Sequence, residues 1–160
     1  MKIVFLNIIF LLFLNSFSKT THFDTIATLL KGQGCGITPN TDEVVYNINL
    51  LENIQKTDSN NVLIYKHLAM QYYYSWSREK DELLREKYRQ KSINNNIKVL
   101  DLHQFKKVSK SGTIVNLMIL CSCANDCLNT KKYYALLKKK EIKSIDNGTI
   151  EYIKHTCNIE

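Results

Sequence analysis

The sequence predicts an α+β fold: a mostly antiparallel β-sheet or small open barrel with one amphipathic helix at about 76–92, stapled by disulfides. Three observations lead there. Thr113 to Cys127 is an apolar, cysteine-rich run with turn formers on either side. Glu43 to Leu51 alternates in side-chain character and is rich in β-branched residues. Asp146-Asn147-Gly148 stands between two segments that also alternate, and Asn-Gly is a strong hairpin signal because both residues tolerate positive φ.

The first eighteen residues are set apart from this fold. Lys2 precedes an apolar block from Ile3 to Leu14, and Ser16-Phe17-Ser18 supplies small residues for cleavage. The pattern predicts a signal peptide over 1–18 and a single exported α+β domain over 19–160, periplasmic or extracellular. The apolar block falls short of the roughly 20 residues needed to span a bilayer, and the mature chain is expected to carry no transmembrane segment.

Lys19 to Lys31 suits a short helix or an edge strand, and the glycine-rich loop around Cys35 must be irregular backbone. Val44, Tyr46, Ile48 and Leu50 then line one face of a strand, although Val44, Val45, Ile48 and Leu51 also make a helical stripe. A turn over 56–61 leads to a second strand opening at Val62-Leu63-Ile64-Tyr65, so the two segments pair as a hairpin. Ser75 or Ser77 caps the helix that follows. Its apolar stripe is Leu83, Leu84 and Tyr88, continued backwards by Trp76 and Tyr73, and Asp81 stands four residues before Arg85 in the order that favours an ion pair. Asn94-Asn95-Asn96 ends it, and Ile97 to Val108 fits either helix or strand.

Residues 113–127 form the expected central strand. Val115, Leu117, Ile119, Cys121 and Cys123 fall on one face, with Ile114, Asn116, Met118 and Leu120 on the other. A strand apolar on both faces belongs inside a sheet. A helix over the same residues would have to be buried on every side. Tyr133 to Ile145 and Thr149 to Cys157 make the last hairpin, with a lysine-rich helix over 131–143 as the competing reading.

An oxidising compartment turns the five cysteines, Cys35, Cys121, Cys123, Cys127 and Cys157, into disulfide candidates. Five is odd, so at most two bridges form. The expected bridges tie Cys35 and Cys157 to the group Cys121-x-Cys123-x3-Cys127, with the pairing undetermined. Cys121, Cys123, His155 and Cys157 are chemically suitable zinc ligands, but their spacing lacks the paired C-x2-C pattern of zinc sites. No C-x-x-C dithiol, G-x-S-x-G, H-E-x-x-H or P-loop pattern is present. Neither catalytic residues nor a cofactor are assigned.

The chain carries a formal charge of +7. Outside the cytoplasm that points away from nucleic acid, toward an anionic envelope component or an acidic protein. The aromatic cluster Tyr72, Tyr73, Tyr74 and Trp76 is the candidate partner-binding feature. In architecture alone, an exported, cysteine-stapled sheet with one helix resembles oligonucleotide/oligosaccharide-binding-like barrels and netrin-type modules. The cysteine motif with which netrin-type modules begin is missing. The expected function is that of a small exported non-enzymatic interaction protein. The competing expectations are an exported thiol-dependent or hydrolytic enzyme and a toxin-neutralising, immunity-type protein.

Overall fold

A computed structural model describes residues 30–32, 38–105 and 107–160. The expected signal peptide at 1–18, the segment to residue 29 and Cys35 lie outside the described residues. Every regular element among the described residues is a helix: α1 (Thr41–Thr57), α2 (Val62–Arg78), α3 (Glu82–Asp101), α4 (Lys110–Ser122), α5 (Cys127–Tyr134), α6 (Lys139–Ile142) and α7 (Asn147–Cys157). The α+β expectation, with its antiparallel sheet or open barrel, is therefore wrong, and so is the architectural resemblance drawn from it.

The helix starts explain much of the correction. Asn61, Asp81, Ser109, Asp126 and Asp146 each precede a helix and accept a backbone N–H with the side chain. Such caps satisfy donors that the first turn leaves without a partner. Asn40 and Glu43 form a reciprocal capping box before α1: Glu43 N–H donates to Asn40 Oδ1 at 2.9 Å, and Asn40 N–H donates to Glu43 Oε2 at 2.8 Å.

The chain divides into two units between Asn47 and Ile48. In the first, Asn47 is buried, accepting the Lys31 N–H and donating to the Lys31 carbonyl, both at 3.0 Å. The expected strand over 43–51 is the front of α1, where Val44 and Leu51 are buried while Val45 and Tyr46 remain exposed. A period near 3.6 separates these residues into faces, and a period of two does not.

In the second unit, the expected strand at 62–65 opens α2, capped by Asn61. The expected helix at 76–92 exists in type but not in extent. Trp76 to Arg78 close α2, and α3 begins only after Asp81, whose carboxylate takes the Leu84 N–H at 2.8 Å. Asp81 is thus a cap, while Arg85 lies over the Trp76 ring, 5.5 Å from its centroid. Asn95 and Asn96 do not end the helix: each side-chain amide donates back to a carbonyl four residues earlier, and α3 continues to Asp101. The helices α2 and α3 form a hairpin, fastened where Ser92 Oγ donates to the Ala69 carbonyl at 2.8 Å.

The expected central strand is α4. Thr113, Ile114, Leu117, Met118, Leu120, Cys121 and Ser122 are buried, and Val115 and Ile119 are half-buried. The helix meets the demand for burial on nearly every side because α3, α5 and α7 all pack against it. Ser111-Gly112 is not a turn before it but part of its first turn, since Ser109 Oγ caps Gly112 N–H at 3.1 Å. Asn147-Gly148 likewise opens α7 instead of turning a hairpin, because Asp146 Oδ2 accepts Thr149 N–H at 2.9 Å. The core gathers Ile93, Ile114, Leu117, Met118, Leu120, Tyr133 and Ile153, and a smaller cluster of Val62, Tyr65, Val99 and Val108 closes the far end of the hairpin.

Candidate functional site

The cysteine group resolves into three environments. Cys127, which opens α5, is bonded to Cys157, which ends α7, with Cα atoms 5.1 Å apart. The expected bridge from Cys157 to the central group is present, and Cys35 lies outside the described residues. Cys121 is free and buried, and burial pushes its thiol up to about 11, with Asp126 adding to the effect. Cys123 is free and exposed, its Sγ 3.7 Å from Tyr152 Oη. The four zinc-capable residues do not form a site, since Cys157 is in the disulfide, and among the described residues no group of three or more His, Cys, Asp and Glu is placed to hold a metal.

Around Cys123 lies a cleft of about 240 Å³, lined by Trp76, Glu82, Arg85, Glu86, Arg89 and Cys123, with Ala124 at its edge. Trp76 comes from the last turn of α2, and Cys123 and Ala124 follow the end of α4. The four charged residues share one face of α3, because positions 82, 85, 86 and 89 repeat at helical spacing. Arg89 is buried and builds the floor. Its Nε and one terminal nitrogen hold both oxygens of Glu86 at 2.7 Å, and the other terminal nitrogen donates to the Leu120 carbonyl at 3.1 Å. That last bond serves a carbonyl near the end of α4 that the helix itself leaves open. The hydrogen bonds from Arg89 hold the Glu86 carboxyl down at about 2.

The aromatic cluster named from sequence is not one surface. Tyr72 is buried, its hydroxyl donating to Glu52 Oε1 and accepting from Lys91 Nζ at 2.9 Å. Burial first, and the bond to Glu52 second, push Tyr72 up to about 12. Tyr73 and Tyr74 line a separate groove of about 230 Å³ with Met70, Asn96, Asn116 and Ile119. Only Trp76 of the four borders the Cys123 cleft. Sequence reasoning missed Arg85, Glu86 and Arg89, although their 3–4 spacing on an expected helix was a usable signal.

A different surface lies on α5 and α6. Thr130, Tyr133 and Leu137 are buried, whereas Leu128, Lys131, Lys132 and Ala135 are exposed. Lys138, Lys139, Lys140 and Lys143 follow, all exposed. Among the described residues no helix is long and apolar enough to cross a membrane. No family model, curated protein or solved structure matches the chain.

Proposed function

We propose that the protein is a small exported, non-enzymatic interaction module that takes a side chain of a protein partner into the Trp76–Arg85–Cys123 cleft. The observation that carries this reading is the cleft's construction: Arg85 stacked on Trp76 above an Arg89 already fixed to Glu86 and to the end of α4. Tryptophan and arginine are the residue types that dominate interface energetics. A volume of about 240 Å³ falls below the range typical for drug-sized ligands and suits one or two partner side chains. The disulfide between α5 and α7 supports a scaffold that stays ordered before binding.

The test attaches a benzophenone maleimide to Cys123, with Cys123→Ser as the control. A discrete light-dependent adduct is expected, competed by excess unlabelled protein and lost when Ala124→Trp fills the cleft. The same adducts from Cys123→Ser or from the filled cleft would overturn the reading.

The free, exposed Cys123 thiol favours a second reading, an exported thiol-dependent enzyme with Cys123 as nucleophile. The two separate on alkylation. A nucleophile should react with iodoacetamide at least about tenfold faster than free cysteine near neutral pH. An interaction cleft predicts an ordinary rate.

A further inference from the structure

The α5–α6 surface has a different chemistry from the cleft and shares no residue with it. Residues 128, 131, 132 and 135 recur at i, i+3, i+4 and i+7, so they form the outer stripe of α5 while Tyr133 turns into the core. Between Leu128 and Lys143 the chain carries six lysines, Lys131, Lys132, Lys138, Lys139, Lys140 and Lys143, against one acidic residue, Glu141. The Glu141 carboxylate accepts the Lys138 backbone N–H at 2.8 Å, at the start of α6. Neither the Arg89–Glu86 nor the Lys91–Glu52 ion pair involves these lysines. Lys132 Nζ lies 5.9 Å from the Tyr133 ring centroid, the six residues are all exposed, and the occupant that complements their charge is anionic.

Two features select among anionic occupants. First, the lysines line neither cavity. Ammonium groups spread over a surface respond to charge density and do not read the planar geometry of a single carboxylate or phosphate, as arginine forks do. Second, apolar side chains stand among them: Leu128 is 82 % exposed and Leu136 48 %. An extended anionic layer with an apolar interior beneath it satisfies both, since lysine stems let their heads stay at the headgroups while neighbouring leucines go deeper.

We propose that the Leu128–Lys143 surface docks onto an anionic phospholipid bilayer, with Leu128 and Leu136 entering the headgroup layer. Binding is peripheral and reversible, as expected for a polybasic surface with little apolar area. It depends on screening, and it requires no rearrangement because both leucines are already exposed.

The experiment is co-sedimentation of the purified, oxidised protein, without the expected signal peptide at 1–18, with vesicles of phosphatidylcholine alone or with about a third phosphatidylserine. Binding is expected only to the anionic vesicles, and it should be lost as salt rises from about 0.1 M to about 1 M. Each lysine at such a surface is worth about a fivefold change in partitioning, so the triple variant Lys131→Ala, Lys139→Ala, Lys140→Ala should lose on the order of a hundredfold. The exposed controls Lys56→Ala and Lys87→Ala should change it by less than about twofold. All five substitutions are at exposed positions, so circular dichroism should match the parent. In a second readout, the emission of Leu128→Trp should shift to the blue on anionic vesicles. Equal binding to both vesicle types, a triple variant that binds as the parent does, or no blue shift would overturn the proposal. Binding to poly-glutamate with none to anionic vesicles would overturn it in favour of an acidic protein partner.

Discussion

Around the cleft, Arg89 gives three of its nitrogens to Glu86 and to the Leu120 carbonyl, and little of it reaches solvent. Along α5 and α6, six lysines make no ion pair among the described residues and stand in water. Both regions carry cationic side chains, yet only the first uses them to hold the fold. A buried guanidinium must have its donors satisfied, so its partners are internal and its loss is a loss of stability. An exposed ammonium is already satisfied by water, so it can be removed at little structural cost and remains available to a partner. The difference separates residues whose charge is used within the fold from residues whose charge is open to another molecule.

The largest expected effect concerns the link beneath the lysine surface. The Cys127–Cys157 bridge ties the start of α5 to the end of α7 across a sequence separation of 30 residues. Replacing both cysteines by serine should cost about 3 kcal/mol, read as a lower urea midpoint. If the lysine surface needs only its charge density, vesicle binding should fall far less than stability does. Equal losses would show that the surface also depends on a fixed α5.

Arg89→Ala comes next. It removes the Glu86 pairing and the bond to Leu120, and takes away the packed alkyl stem; about 2–3 kcal/mol of destabilisation is expected by urea unfolding. Lys131→Ala should stay within about 0.5 kcal/mol of the parent. If the two variants unfold alike, the distinction between built-in and available charge collapses.

Much of this arrangement was written in residues that permit two interpretations. Cysteine pairing was legible in part, because Cys157 and the central group were the ends of one expected bridge and Cys127–Cys157 is that bridge. The helix type over α3 was legible from its composition, but its limits were not. Asp81 served a better role as a cap than as Arg85's ion-pair partner, and the Asn95 and Asn96 amides turned back onto their own helix. The central stretch misled for a physical reason: a run apolar in every direction has no period, so burial by neighbouring helices and burial inside a sheet leave the same trace. Asp146-Asn147-Gly148 misled differently. Asn147 and Gly148 permit a positive-φ turn without requiring one, and the Asp146 side chain captured the Thr149 N–H first. Left-handed conformations occur instead at other positions, among them Asn125, φ +55°, after α4, and Asn158, φ +49°, at the end of α7. The cleft was the least legible feature, because it needs Trp76, α3 and the residues after α4 together, and no local pattern joins them.

The smallest effect tests the same contrast through pH. The Arg89 guanidinium holds the folded Glu86 carboxyl at about 2, below the ordinary glutamate range that applies in the unfolded chain. Unfolding therefore takes up a proton at intermediate pH. The Glu86 contribution is complete above the ordinary glutamate range and is lost as pH falls from there toward 2. The Glu86 side chain is 51 % exposed, so solvent screening keeps the contribution under about 1 kcal/mol. Urea unfolding at about pH 6 and about pH 3 should show the parent losing more stability on acidification than Glu86→Gln does. Lys131→Ala and Lys132→Ala should leave the parent's slope unchanged, since neither lysine has a carboxylate partner among the described residues. A Glu86→Gln slope equal to the parent's would mean that Arg89 is held by Leu120 and packing alone, and that the cleft floor owes nothing to the ion pair.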